Sequence, residues 1–416
     1  MRFGVLSQWY DPEPGPAAIP GGLARELARR GHEVTVLTGF PNYPTGRIYP
    51  GFRMKPTSTF RESSNLIVRR VALYPSHDDS SAHRILNYCS FGLSAATLGL
   101  GALRGLDAVW VYNSPATVAL PMWASRYLLG VPQVLHVMDL WPDSILLSGF
   151  GLGSAGGVVK RSLDAWCSAM YRSASAVAFV TPGLGVELER RGVPKEKLTF
   201  APVWADAVVA AASPAVPRSV WGVGEGELLV LYAGALGSAQ GLDAFVEALA
   251  LIEGEISVHC LIAGSGTEEH SLQERVRQRG LKRIHFLGQV PRDELPAIMA
   301  AADIHLVSLR PSLLSEITMP SKMHTTLAAG KPFIAAVEGD ARKAATESGA
   351  AILATPGDPR SIADALLRAS SIGRLELAQM GSAGKAYYQS VFSLDVGVDR
   401  IEELLIEASR KSKSRG

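Results

Sequence analysis

Cysteine is scarce in this sequence of 416 residues, with Cys89, Cys167 and Cys260 standing far apart. Their odd number and wide spacing exclude a disulfide framework and a cysteine-based metal cluster, and are typical of a reducing compartment. Charge of one sign is also lacking. The formal net charge is only +2, which provides no general attraction for nucleic acid, and we expect none as a partner.

A long hydrophobic run is missing as well. The near-continuous apolar stretch 91–103 is shorter than the roughly 20 residues that span a bilayer. A strand-like run begins at Met1, so we expect no signal peptide. These features predict a cytoplasmic protein, at most peripheral to the inner face of the membrane.

What the chain does have is apolar residues, 47% of the total, arranged as alternating strand and helix patterns. This alternation predicts an α/β fold with two doubly wound parallel sheets. The predicted domains are 1–205, 206–393 and a C-terminal helix with a basic tail, 394–416, that packs back toward the first domain. The linker prediction rests on the Ala-, Ser- and Pro-rich stretch between Trp204 and Trp221.

Loops that follow predicted strands supply the first candidate site residues, because open α/β sheets bind ligands beyond the carboxyl ends of their strands. Gly15 lies in a loop before the first helix, and its free amide suits an anion. Small residues with the same potential follow two strands of the second half: Gly234, Gly237, Gln240, Gly264 and Gly266. Tight turns without any ligand would explain these glycines equally well.

The segment Met319–Pro332 is more specific. Pro320 starts a predicted helix, with Ser321 and Lys322 in its first turn and Gly330 at its end. A lysine at the positive end of a helix dipole is poorly placed for stability. A bound phosphate would neutralise both charges; otherwise Lys322 simply extends into water.

At this point the residues match a family. The chain resembles, over nearly its full length, the retaining nucleotide-sugar glycosyltransferases of family four with the GT-B fold. The resemblance is nearest to bacterial O-antigen and capsule enzymes that transfer N-acetyl-fucosamine-type or N-acetylhexosamine sugars. It rests on four segments: 10–15 with 29–38, 137–143, 232–242, and 320–322 with 327–332.

The resemblance implies two Rossmann-like domains facing an interdomain cleft and a metal-independent transfer from a nucleotide-diphosphate sugar, with UDP as the expected nucleotide and no cofactor. Several family residues are replaced. The two family glutamates match Ile317 and Thr325, and the Arg and Lys that grip the diphosphate match Ala235 and Gln240. The histidine of the usual His-Asp pair matches Met138. We interpret this as a variant site, in which Lys322, the helix dipole and loop amides compensate.

The candidate residues divide by role. Asp139 and Lys322 are the candidate catalytic residues, with Asp139 receiving the acceptor proton or only positioning the acceptor, and Asp143 structural. The donor-binding candidates are Gly15, Gly234, Gly237, Gln240, Gly264, Gly266, Val290, Glu316, Ser321, His324 and Thr325. The acceptor-binding candidates are His136, Trp141, Tyr43 and Arg47; His136 fits a core histidine equally well.

Other sequence features leave alternatives open. No metal site is expected: Asp78-Asp79 alone resembles an Asp-x-Asp motif, and it suits a solvated turn. Basic and aromatic residues between Tyr43 and Arg70 fit a membrane surface or a lipid-linked acceptor, or a solvated rim. The acceptor is thus a glycan, a polyprenyl-diphosphate sugar or a small molecule. A nucleotide-sugar epimerase or an inactive partner subunit remains an alternative, while the missing dinucleotide fingerprint disfavours a dehydrogenase.

Overall fold

The structure is a computed structural model that describes residues 1–77, 80–143 and 156–414. The Asp78-Asp79 pair lies outside these residues. The chain divides into two compact units: unit 1 comprises Met1–Val203 with Leu394–Gly416, and unit 2 comprises Trp204–Ser393. Each unit is built around its own sheet, which confirms the predicted fold class.

Unit 1 contains an eight-stranded sheet in the order β3-β4-β2-β1-β5-β6-β7-β8. Its strands are β1 Arg2–Leu6, β2 Glu33–Gly39, β3 Thr57–Ser63, β4 Leu66–Val71, β5 Ala108–Tyr112, β6 Gln133–Val137, β7 Ala176–Phe179 and β8 Leu198–Phe200. Its helices up to β8 are α1 Ala18–Arg29, α2 Ser81–Thr97, α3 Ala119–Leu129, α4 Gly156–Ser173 and α5 Pro182–Arg190. Central strands such as β5 are buried on both faces, as expected of a parallel sheet covered by helices.

Strand β3 was not expected from the sequence. It lies in the stretch between Tyr43 and Arg70, which is described from the sequence only as basic and aromatic. It pairs antiparallel with β4 at the edge of the sheet, and most of its residues are exposed. An edge strand with little burial needs no alternation of apolar and polar residues, so the usual sequence signal is missing. Part of the basic stretch before Arg70 is therefore a hairpin.

Unit 2 contains a six-stranded, wholly parallel sheet in the order β11-β10-β9-β12-β13-β14. The strands are β9 Leu228–Ala233, β10 Val258–Ala263, β11 Ile284–Gly288, β12 Ile304–Ser308, β13 Phe333–Ala336 and β14 Ala351–Ala354. The helices are α6 Leu242–Leu251, α7 Glu269–Gln278, α8 Leu295–Ala301, α9 Leu313–Glu316, α10 Ser321–Ala328, α11 Gly339–Glu347, α12 Pro359–Ser371 and α13 Arg374–Val391. Strand order reverses direction between β9 and β12, where doubly wound sheets place their ligands.

The last helix, α14 Leu394–Lys413, belongs to unit 1. Arg30, which follows α1, pairs with Asp399 and Glu402 of α14 at 2.6 Å each. The buried residues of α14 include Val398, Ile401 and Leu405. Within the described ranges, no helix combines the length and apolar character needed to cross a membrane.

Candidate functional site

Unit 2 has a pocket of about 380 Å³ between α8 and α10, beside the carboxyl ends of β9 and β12. Its apolar lining includes Leu231, Leu295 and Met299. Its lining also includes residues that the sequence singled out: Gly234, Gln240, Ser321, Lys322 and Thr325. We call this cavity the lysine pocket.

Lys322 is held in place by two neutral groups. Its ammonium donates to the Tyr232 hydroxyl at 2.8 Å and to the side-chain carbonyl of Gln240. Nζ also lies 4.3 Å from the centre of the Tyr232 ring, which is a favourable cation–π distance. Because an ammonium has three N–H donors, one donor remains for a ligand after these two hydrogen bonds.

The charge of Lys322 is costly in this position. Burial lowers the pKa of its ammonium to about 7, because desolvation disfavours the charged form. Among the described residues of unit 2, no carboxylate forms an ion pair with Lys322. Within the described part of unit 2, the lysine pocket therefore presents a cation whose charge no carboxylate balances.

Glycines let two loops, one after β9 and one after β10, approach each other beside the pocket. A Cβ atom on Gly264 would lie 1.9 Å from the carbonyl oxygen of Gly234, and one on Gly266 would lie 2.5 Å from that of Leu236. The Gly234 amide donates to Ala263 and the Leu236 amide to Ser265, both at 2.9 Å. Gly264 and Gly266 are thus required for close packing of the backbone, and the Gly234 amide is already used within the fold.

The remaining donor-side candidates occupy different places. Thr325 lines the pocket and donates to the Ser321 carbonyl at 3.2 Å. Gly237 precedes the 3-10 turn Ser238–Gln240, and Val290 packs in the apolar cluster around α8. Glu316 ends α9 and its backbone carbonyl lies against Gly339.

His324 corrects a sequence prediction. Its side chain is 4% exposed and its ring lies edge-on to Phe392 at 5.0 Å. Burial lowers its pKa to about 4, and a hydrogen bond to the Pro320 backbone opposes this shift. Residues 322 and 324 point in different directions because they are two positions apart on a helix, so His324 belongs to the core and not to the donor site.

Asp139 of unit 1 lies just beyond the carboxyl end of β6. Asn113 clamps this loop: its side-chain oxygen accepts from the Met138 amide at 2.8 Å, and its amide group donates to the Asp139 carbonyl at 3.1 Å. The carboxylate is solvent-exposed. The surrounding protein nevertheless raises its pKa through desolvation, while a hydrogen bond from Ser114 opposes this effect.

Four aromatic residues surround this part of unit 1. The Trp9 ring lies edge-on to Tyr43, Tyr88 and Tyr112, with ring centres 6.3 to 6.4 Å apart. Desolvation raises the pKa of Tyr112, and the charge of Asp139 raises it further. The Asp139 carboxylate therefore lies close to these rings, which we call the aromatic cluster.

The other predicted residues of unit 1 are dispersed. Trp141 is held through its backbone, which accepts from Tyr171 at 3.1 Å and from Arg191 at 3.0 Å. Arg191 also pairs with Asp143 at 2.7 Å, a structural contact. Arg47 is exposed on the loop after β2, and Gly15 opens a 3-10 turn with a φ of +66°.

His136 follows one of the two interpretations that the sequence left open, that of a core histidine. The side chain is fully buried; Nε2 lies 2.9 Å from the Ala201 carbonyl and Nδ1 lies 3.3 Å from the indole nitrogen of Trp110. Burial lowers the pKa of the ring to about 4, and the contact with Ala201 opposes this shift. With both ring nitrogens used inside the core, His136 has no atom left for an acceptor.

Sequence reasoning missed Tyr232, Trp9, Tyr88 and Tyr112 as site residues. Tyr232 is the penultimate residue of the first strand of unit 2 and Tyr112 ends β5, so both lie near the ligand-binding edge of a parallel sheet. Their location near the ends of these strands was the sequence signal that could have identified both tyrosines as site residues. Within the described residues, no group of three or more His, Cys, Asp or Glu side chains is arranged to hold a metal ion.

Two family models match consecutive parts of the chain. The model "Glycosyl transferase 4-like domain" matches residues 15–204, and "Glycosyl transferases group 1" matches residues 227–371. The first match falls almost wholly in unit 1 and the second in unit 2.

Individual relatives agree with these models. The putative colanic acid biosynthesis glycosyl transferase WcaI of Escherichia coli (strain K12) is 28% identical over 339 residues, which cover 79% of this chain and 82% of that protein. The probable glycosyltransferase WbjE of Pseudomonas aeruginosa is 24% identical, over 72% and 74% of the two chains. The fold is similar to that of Anabaena HepE, solved with UDP and glucose, with a TM-score of 0.70 and 17% identity over 98% of this chain and 100% of HepE.

Proposed function

Because the chain belongs to the group 1 glycosyltransferases and has the GT-B fold, we propose that it transfers a hexose or N-acetylhexosamine-type sugar from UDP to a hydroxyl group. Matches to transferase models argue against the epimerase alternative. The relative named for colanic acid biosynthesis supports this choice of reaction, and the similar structure with bound UDP supports this choice of nucleotide. The N-acetyl-fucosamine type of sugar remains a proposal from the sequence resemblance.

One observation carries the proposal: the buried ammonium of Lys322 has two neutral partners and, among the residues of unit 2 that the structure describes, no carboxylate as counter-charge. A charge that costs stability and faces a cavity is characteristic of a binding site for the opposite charge. A pyrophosphate supplies that charge, and the apolar lining of the pocket accommodates the less polar part of the nucleotide or sugar.

The chemistry follows from where charge develops. As the bond between the sugar and the β-phosphate breaks, negative charge accumulates on the departing phosphate oxygen. An ammonium fixed before the reaction stabilises that charge without reorganisation. We propose that Lys322 fills this role without a metal ion or cofactor, and that the reaction retains the anomeric configuration. Proton NMR of the product, which distinguishes α from β linkages, tests the stereochemistry.

We place acceptor binding at the aromatic cluster of unit 1. Aromatic faces pack against the C–H surfaces of sugar rings, and Asp139 is close enough to Tyr112 to orient a hydroxyl held there. In a retaining transfer, the departing phosphate oxygen takes the proton of that hydroxyl, so Asp139 needs only to position the acceptor. Tyr43, which was an acceptor-binding candidate from the sequence, belongs to this cluster.

Helix α2 supports a lipid-linked acceptor and a role at the inner face of the membrane. It exposes Ile85, Leu86 and Leu93 by 46%, 48% and 58%, and exposed basic residues Arg53 and Lys55 lie in the loop before β3. Apolar side chains with basic residues favour an anionic membrane surface. More of the protein should sediment with phosphatidylglycerol vesicles than with phosphatidylcholine vesicles. Leu86→Glu should reduce the fraction that sediments with phosphatidylglycerol. Equal sedimentation with both vesicles would contradict membrane binding and favour a soluble acceptor.

A thermal-shift comparison of UDP, GDP and TDP tests the nucleotide. A nucleotide present at 100 times its Kd stabilises the folded state by about 2.7 kcal/mol, which is readily measured. UDP should give the largest increase in Tm. A larger shift with GDP or TDP would reassign the donor, and no shift with any of them would contradict the proposed role of the lysine pocket.

A further inference from the structure

Glu13 is a buried carboxyl group with no obvious structural purpose. Its side chain is 1% exposed, and it lies in the loop between β1 and α1. Burying an ionised carboxylate costs free energy unless hydrogen bonds compensate. The hydrogen bonds that Glu13 accepts therefore indicate which parts of the chain its carboxylate holds together.

The carboxylate joins two loops. One oxygen accepts from the amides of Asn42 and Tyr43 at 2.8 Å each, in the loop after β2. The other accepts from the Tyr10 amide at 3.2 Å, in the loop after β1. These two loops carry Trp9 and Tyr43, whose rings meet in the aromatic cluster.

Stability does not explain the charge. Burial raises the pKa of Glu13 to about 7, although the three amides and Arg70 oppose this effect. The folded protein thus binds more protons than the unfolded chain between about pH 4.5 and 7, so the free energy of unfolding falls as pH rises through this window. At pH 8 the folded protein is therefore less stable than below pH 4.5, yet Glu13 is mostly ionised there, and only the ionised form accepts hydrogen bonds freely on both oxygens.

We propose that Glu13 is a positioning residue for the acceptor: its carboxylate fixes the loops that carry Trp9 and Tyr43, and so sets the spacing of the aromatic walls beside Asp139. This inference rests on the proposed acceptor site. Glu13 itself does not touch the acceptor, because its side chain is enclosed by the two loops.

Neighbouring charges are accounted for. Arg70 of β4 faces Glu13, but its guanidinium donates to the carbonyls of Gly39 at 2.8 Å and Asp11 at 2.5 Å. The titratable groups Tyr43 and Tyr49 belong to the second loop, and desolvation and Glu13 raise the pKa of both. These groups stay protonated near neutral pH. His77, whose ring centre lies 4.6 Å from that of Tyr43, and Asp139 also border this region, so the pH profile of Glu13→Gln is needed to assign a titration to Glu13.

The test compares Glu13→Gln with Glu62→Gln in the full-length protein saturated with UDP. Glu62 accepts from the Tyr10 hydroxyl at 2.9 Å and pairs with Arg25 at 3.3 Å, so it contacts the same first loop but not the second. At pH 8, hydrogen exchange of the segment 40–49 should accelerate about tenfold in Glu13→Gln only. Because this measurement needs no acceptor, it tests Glu13 even if the proposed transfer is wrong.

Transfer to octyl glycosides supplies the second measurement. In Glu13→Gln the KM for the glycoside should rise about tenfold while the KM for UDP-sugar and the Tm change little. In the wild type the glycoside KM should rise as pH falls below about 7, and this acid limb should vanish in the variant. Unchanged exchange in Glu13→Gln, equal loosening in Glu62→Gln, or a lower kcat with unchanged glycoside KM would overturn the proposal.

Discussion

The lysine pocket of unit 2 and the aromatic cluster of unit 1 solve opposite electrostatic problems. The lysine pocket holds a cation with neutral partners, Tyr232 and Gln240. The aromatic cluster is flanked by two carboxyl groups, Asp139 and Glu13, and both have a raised pKa because of desolvation. In each region the protein maintains a charge at a cost in stability.

The contrast lies in how the charge is held. Glu13 is satisfied by three backbone amides, so its role is complete within the protein. Within the described residues of unit 2, Lys322 keeps one N–H donor beyond its two hydrogen bonds and has no carboxylate partner, so we expect its role to require a ligand. We infer that a buried charge whose hydrogen bonds come from the protein, such as that of Glu13, holds loops in position. A buried charge with an unused donor, such as that of Lys322, indicates a binding site.

The largest expected effect is that of Lys322→Met. Transfer should fall roughly 1,000-fold and the UDP-induced rise in Tm should disappear, because the fixed donor to the phosphate is lost. The Tm of the free protein should rise, since the buried charge is removed. Enzyme assays and thermal shifts with and without UDP measure these changes.

Lys331→Met is the matched control for this change. Lys331 is a partly buried lysine of unit 2 whose ammonium donates to the carbonyls of Ala300 at 2.7 Å and Ala302 at 2.8 Å. Its loss should lower the Tm while the UDP-induced shift persists. If Lys322→Met kept a transfer rate within a few-fold of the wild type, the proposed difference in role between Lys322 and Lys331 would be wrong.

Asp139→Asn tests the other side of the comparison. Transfer should fall about 100-fold, because an amide is a weaker acceptor for the incoming hydroxyl, while the UDP-induced rise in Tm stays intact. Steady-state kinetics together with the thermal shift separate these effects. If the variant lost its affinity for UDP, Asp139 would belong to the donor side.

The pH dependence of donor binding sharpens the comparison further. The pKa of about 7 for Lys322 means that the fraction carrying a proton falls about tenfold between pH 6 and pH 8. The affinity for UDP-glucose, whose pyrophosphate diester does not titrate in this range, should therefore fall about tenfold by calorimetry. An equal fall in Lys322→Met would assign the effect to another group.

The smallest effect is expected from Tyr232→Phe. The ring and its cation–π contact with Lys322 remain, but one acceptor for the ammonium is lost. UDP affinity should fall about fivefold, corresponding to one hydrogen bond of about 1 kcal/mol. Calorimetric titration measures this change, and an unaltered affinity would show that Gln240 alone positions the ammonium.

Much of the fold was predictable because its signals are local. Buried strands such as β1, β5 and β9 are largely apolar runs, and α10 begins at Ser321 with Pro320 as its N-cap, one residue from the start that the sequence predicts. Strand β3 was missed because an exposed edge strand carries little apolar pattern.

The site was predicted less completely. Lys322, Gln240 and Thr325 line one pocket, and their approach depends on a helix start and a glycine turn that the sequence shows. His324 was a donor-binding candidate and His136 was either an acceptor-binding candidate or a core histidine; both side chains lie in the core. Position on a strand or helix fixes which residues share an element, but not whether a ring nitrogen meets Ala201 or a substrate.

The sequence by itself determined the two wound sheets, the loops that end their strands and the lysine at a helix start, because hydrophobic periodicity and turn chemistry act over a few residues. Only the tertiary structure decided which charges are balanced. The partners of Lys322 lie 82 and 90 residues away, and those of Glu13 lie up to 30 residues away. Such distant contacts leave no local pattern, since they form only when separate elements pack together.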